Sequence, residues 1–107
     1  MATLRDWKVT IGAQVDGVTS DPRFPSLFEA ALLGDPEVVM IQFGESKWPH
    51  IVSAVVRISA IDSSSADALG LEILRRNIRT VAFEIIGGEP SHWELRVARE
   101  LFISPRQ

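Results

Sequence analysis

From Trp7 to Val15 the chain alternates. Trp7, Val9, Ile11, Ala13 and Val15 fall on one side, and Lys8, Thr10, Gly12 and Gln14 on the other. A period of two with one polar side is the pattern of a half-buried strand, and Asp16-Gly17 ends it as a turn. Three further segments read the same way. Val38 to Phe43 sets Val39, Ile41 and Phe43 against Val38, Met40 and Gln42. Ile51 to Ile61 sets Val52, Ala54, Val56, Ile58 and Ala60 against Ser53, Val55, Arg57 and Ser59. His92 to Arg99 sets Trp93, Leu95 and Val97 against His92, Glu94 and Arg96. The second and third strands, joined by the loop Gly44 to His50, read as a hairpin.

Between the strands the period changes. Ser26 and Glu29 have capping-box spacing, which predicts a short helix with Phe24, Leu27, Phe28, Ala31 and Leu32 on its buried side. Gly34 suits the left-handed position after a helix, and Asp35-Pro36 stops it. The longer helix opens at Ser63-Ser-Ser65, with Ser64 and Asp67 near capping-box spacing. Leu69, Ile73, Leu74, Ile78 and Val81 recur at helical steps, with Gly70 and Asn77 on or near that stripe. Asp67, Glu72, Arg75, Arg76 and Arg79 lie largely opposite. The pattern carries to about Phe83, and Gly87-Gly88-Glu89-Pro90 breaks it.

The order β-α-β-β-α-β predicts an α+β fold over residues 1–107 as a single domain. It is a ferredoxin-like βαββαβ sandwich, with a four-stranded antiparallel sheet and two helices on one face. The usual strand order of such folds, 4-1-3-2, centres strands one and three. The long helix then packs Leu69, Ile73 and Leu74 against Val9, Ile11, Val56 and Ile58. Three segments carry a resemblance: Trp7-Lys-Val-Thr-Ile, Phe28-Glu-Ala-Ala-Leu and Ala66-Asp-Ala-Leu-Gly-Leu-Glu-Ile. They resemble short, functionally uncharacterised ferredoxin-like proteins of actinobacteria and their phages. The resemblance implies the fold and no catalytic residue, because such domains host many unrelated activities.

Composition narrows the function classes. With 107 residues, 46% of them apolar, the chain can bury a core without a staple. It has no cysteine, which excludes disulfides, thiolate nucleophiles and zinc–sulfur sites, and no cofactor is expected. The net charge of −3 argues against a general nucleic-acid binder. The cations are nine Arg against two Lys, Lys8 and Lys47, a usage that fits a GC-rich genome. The start of the chain has no apolar run behind a basic segment, and no stretch approaches the ~18–20 apolar residues of a membrane span. The expectation is a cytoplasmic protein without membrane contact.

Candidate chemistry is sparse. With helices on one side only, the bare sheet face would present Lys8, Thr10, Gln14, Met40, Val55, Arg57, His92 and Arg96 to solvent, to a ligand or to a second copy. RNA-recognition domains of this topology stack bases on aromatic rings at the outward positions of the two central strands. Here those positions hold Lys8, Thr10, Gln14, Ser53, Val55, Arg57 and Ser59, none aromatic. The loop Trp48-Pro49-His50 sets an aromatic at a hairpin tip, either as a lid over the end of the core or as a partner contact. His50 and His92 belong to opposite edges, so no convergent metal site is expected. Arg75, Arg76 and Arg79 form a basic strip that Glu72 can partly neutralise at helical spacing. Gly87-Gly88 lacks the following Lys-Ser/Thr of a phosphate loop. Ser63, Ser64 and Ser65 are explained by capping rather than by nucleophilic chemistry. The consecutive apolar residues Leu101, Phe102 and Ile103 exceed what a minimal domain needs, and read as an extension of the last strand or an assembly arm. The preferred expectation is a non-enzymatic, self-associating interaction module. The alternatives are a small-molecule-binding or enzymatic domain using the bare face, and a phage or bacterial factor that binds a host protein through the Arg strip or the Trp48 loop.

Overall fold

A computed structural model of the chain describes residues 3–44, 48 and 51–101. Its elements follow in the order β1 (Arg5–Val15), α1 (Phe24–Gly34), β2 (Val39–Phe43), β3 (Ser53–Ala60), α2 (Ser63–Ile86) and β4 (Trp93–Leu101). The four strands form one sheet in the order β2-β3-β1-β4, and every neighbouring pair is antiparallel. Read from the β4 edge, that order is 4-1-3-2.

The alternation in β1 places its apolar residues in the core. Val9, Ile11, Ala13 and Val15 are buried beside Ala54, Val56, Ile58 and Ala60 of β3. The register aligns Val9 with Val56 and Ile11 with Ala54, so the two inward rows meet across the strands. From α2, Ile73, Leu74, Ile78 and Val81 complete that side, and from α1 Phe24, Phe28 and Leu32. The rings of Phe24 and Phe28 stack with centroids 5.2 Å apart, and Phe43 of β2 meets Phe28 at 6.0 Å. Gly70 lets α2 come down onto the sheet: a Cβ there would stand 2.9 Å from Val9 Cγ1.

Both helices begin earlier in the chain than their serines suggest. α1 starts at Phe24 with Pro25 in its first turn, so Ser26 lies inside the helix and no side chain caps it. The proline's fixed φ and missing N–H suit that first turn, where amide groups have no helical partner. The cap of α2 is Asp62, whose carboxylate accepts the Ser65 N–H at 2.8 Å, rather than Ser64. Gly87 ends α2 in the left-handed conformation at φ 71. Gly34 does not play that part in α1, which ends on an extended Asp35.

The expected facing of β2 is reversed over its first half. Val39 aligns with Arg57 and Met40 with Val56, but Gln42 aligns with Val55 and Phe43 with Ala54. A bulge at Ile41 resets the alternation. Met40 and Phe43 therefore both pack against the core, and Met40 does not belong to the bare face. Val39 and Ile41, expected inward, are 57% and 44% exposed. His92 precedes β4 rather than lying in it, and is exposed. Among the described residues, no helix is long and apolar enough to cross a membrane.

Candidate functional site

The sheet face turned away from the helices is only partly bare. Its upper end carries Thr10, Gly12, Ser53 and Val55, all buried, although no helix covers them. Position 12 alternates with the inward Ile11 and Ala13, so a Cβ on Gly12 would point away from the helices. That Cβ would stand 3.0 Å from Trp48 Cζ3 and 3.0 Å from Ile51 Cγ2. The β2–β3 connection thus lays its tryptophan and Ile51 over the sheet, and the glycine makes room for the ring. The half-buried Trp48 ring lies over Gly12 on the face opposite the main core. Pro49 and His50 lie outside the described residues. The signal for this contact was Gly12 itself, since a glycine inside a strand marks close approach by something else.

Beyond that end the face carries paired charges, beside the exposed Val39 of β2 opposite Arg57. Arg57 donates to Asp6 at 2.5 Å, and the Ser59 hydroxyl donates to the same carboxylate at 2.9 Å. These contacts hold Asp6 below the usual carboxylate range, with the Arg57 hydrogen bond as the main cause. Arg96 is engaged by Glu94, with Nε 3.0 Å and Nη2 2.5 Å from one carboxylate oxygen. Glu94 therefore faces Arg96 rather than His92. Lys8 and Gln14 also face this side, half-buried and exposed respectively. The proposed cations Lys8, Arg57 and Arg96 share a face, but two of the three already hold carboxylates.

A second cluster lies at the other end of the helical layer, where the sequence shows only a helix stop. The Asp35 carboxylate, its side chain 6% exposed, accepts from Arg76 Nε at 2.7 Å, Arg76 Nη2 at 2.8 Å and Asn77 Nδ2 at 2.8 Å. Asn77, buried on α2, also donates to the Ile73 carbonyl at 2.8 Å. Arg76 reaches Glu37 at 2.8 Å and Glu72 at 3.8 Å. The Arg76 guanidinium beside Asp35 lowers the carboxyl to about 2, and the same contact raises Arg76. The arrangement ties the α1–β2 connection to the middle of α2. A buried Asn on an otherwise apolar stripe was its one signal, because such an amide needs partners. Of the basic strip, Arg79 pairs with Glu89 at 2.6 Å. Arg75 is exposed and has no ion pair among the described residues.

The two edges of the sheet differ. β2 has five residues and a bulge. β4 has nine, and its pairing with β1 runs unbroken from Trp93↔Val15 to Leu101↔Trp7. On the helix side of β4, Trp93, Leu95 and Val97 pack against the core yet remain half-buried. Trp93 and Leu95 also line a groove against α2, walled by Leu71, Arg75, Arg79 and Glu89. The Trp93 indole donates to the Pro90 carbonyl at 3.2 Å, which fixes the ring at the head of the strand. Phe102 and Ile103, expected to form an arm with Leu101, lie outside the described residues. No group of three or more His, Asp or Glu among the described residues is placed to hold a metal ion. No protein-family model matches the chain, and a search of curated proteins finds no significant match.

Proposed function

We propose that the chain is a ferredoxin-like domain acting as a non-enzymatic, self-associating protein-interaction module. The βαββαβ order and the all-antiparallel pairing with β1 and β3 central support the fold. The observation that carries the function is the outer edge of β4. Among the described residues, nine residues of strand have no neighbouring strand along one side, and no bulge interrupts them. Natural sheets usually shorten, bend or cover such an edge, because it is a template for another strand. Among the described residues, the β2 edge is short and bulged and the β4 edge is neither.

A strand added to β4 would also cover the outer flanks of Trp93, Leu95 and Val97. Backbone hydrogen bonds supply the affinity in such pairing, and alternate side chains supply the selectivity. The test is size-exclusion chromatography with light scattering over a dilution series. The expected result is a species of twice the 11.8 kDa chain mass that dissociates on dilution. A strict monomer at the highest soluble concentration overturns the reading.

A further inference from the structure

Resting on that reading, we infer that two copies join β4 to β4 antiparallel about a two-fold axis through Leu95, extending the sheet to eight strands. The register follows from which side chains share a face. Trp93, Leu95 and Val97 align with Val15, Ala13 and Ile11, whose side chains face the helices, so Glu94 and Arg96 face the other way. A two-fold axis perpendicular to the sheet keeps both helical layers on one side, so each residue meets a partner of its own parity. With Leu95 on the axis, Trp93 lies opposite Val97 of the second copy, and Glu94 lies opposite Arg96, twice over.

Charge and the apolar row together select this register: an axis at Ala98 would also set Arg96 opposite Glu100, but it would put Arg99 opposite Val97 in the apolar row. Glu94 and Arg96 are two apart on one face, and both are solvent-accessible. Within one chain they pair with each other. In the dimer each carboxylate gains a second guanidinium directly across the ladder, where opposite charges attract and like charges repel. Moving the axis to Val97 leaves Arg96 opposite the alanine at position 98 and loses that match. On the helix side the same pairing closes the apolar row: Leu95 meets its own copy, and the two Trp93–Val97 contacts flank it. The groove between β4 and α2, with Leu71 and Trp93 on its walls, is covered by the same event.

The reciprocity of the Glu94–Arg96 pairs gives a direct test. In Glu94→Arg every interface pair becomes Arg against Arg, and in Arg96→Glu every pair becomes Glu against Glu. Each variant alone is expected to dimerise about tenfold or more weakly than wild type. Mixing the two restores Arg against Glu at both positions, so a 1:1 heterodimer is expected by native mass spectrometry and light scattering. Circular dichroism melts of each variant confirm that both fold. If both single variants dimerise as wild type does, or if the mixture stays monomeric, the register is overturned while self-association through another surface stands. If wild type itself never dimerises, the interaction reading falls and the register falls with it.

Discussion

The sheet has two surfaces, and each depends on a glycine that lets something come close. On the helical side the visitor is α2, which approaches so near that a Cβ at Gly70 would stand 2.9 Å from Val9 Cγ1. On the other side it is the ring of Trp48 with Ile51, both 3.0 Å from a Cβ at Gly12. The first contact belongs to a core built from both helices and all four strands. The second is a local roof over one end of the sheet, beyond which Gln14, Arg57 and Ser59 stay exposed. Regular amphipathic elements bury a whole face, whereas a loop aromatic buries a corner.

The sharpest way to break this contrast is to remove volume where the helices meet. Phe28→Ala deletes a fully buried ring between Phe24 and Phe43. It should cost about 3–5 kcal/mol in urea unfolding, the range for large-to-small changes in a core that relaxes incompletely. A loss near 1 kcal/mol would mean that the helical side is packed no better than the roofed corner.

Next in size is the tie that holds the helical layer together. Asp35→Asn removes the charge that binds Arg76 and Asn77, and should cost about 1.5–3 kcal/mol near neutral pH. The sign of the pH effect follows from the lowered carboxyl. The Asp35 pKa falls from 3.8 in the free carboxyl to about 2 in the fold. Its contribution is therefore complete above 3.8 and is lost as pH falls through about 2. Wild type should lose stability over that window by more than Asp35→Asn does, as read from urea midpoints at pH 5 and pH 2. Parallel losses in the two proteins would remove Asp35 from the account.

The smallest effect compares the two glycines directly. Gly70→Ala puts its methyl against a buried valine pinned between packed elements, and should cost about 1–3 kcal/mol. Gly12→Ala meets only side-chain atoms of Trp48 and Ile51, which a loop can move, and should cost less, about 1 kcal/mol. Its readout is also distinct: a displaced Trp48 ring shifts tryptophan emission to the red. Equal costs without that shift would show that the roof is as rigid as the core.

Some of this was legible from local periodicity. The inward faces of β1 and β3 and the α2 stripe follow from residue spacing, because burying one side of a strand or helix demands its period. The rest depended on partners distant in the chain. The Met40 error arose at a bulge, where one extra residue against β3 flips the facing of everything after it, and nothing local to Val38–Phe43 announces that. Asp35 looked like a helix stop because its partners are 41 and 42 residues away. The Arg57–Asp6 pair joins residues 51 apart through the β1–β3 register.

The chain by itself determined which segments are strands and helices, their order, and the side that β1, β3, β4 and the two helices turn inward, since these follow from hydrophobic period, turn residues and backbone chemistry within a few positions. Only the tertiary structure decided that Trp48 closes over Gly12, that Arg57 and Arg96 already hold carboxylates, and that β4 is a long unbroken edge while β2 is short and bulged. Those facts depend on register and on loop path, and these are settled by packing across the whole molecule rather than by any one segment.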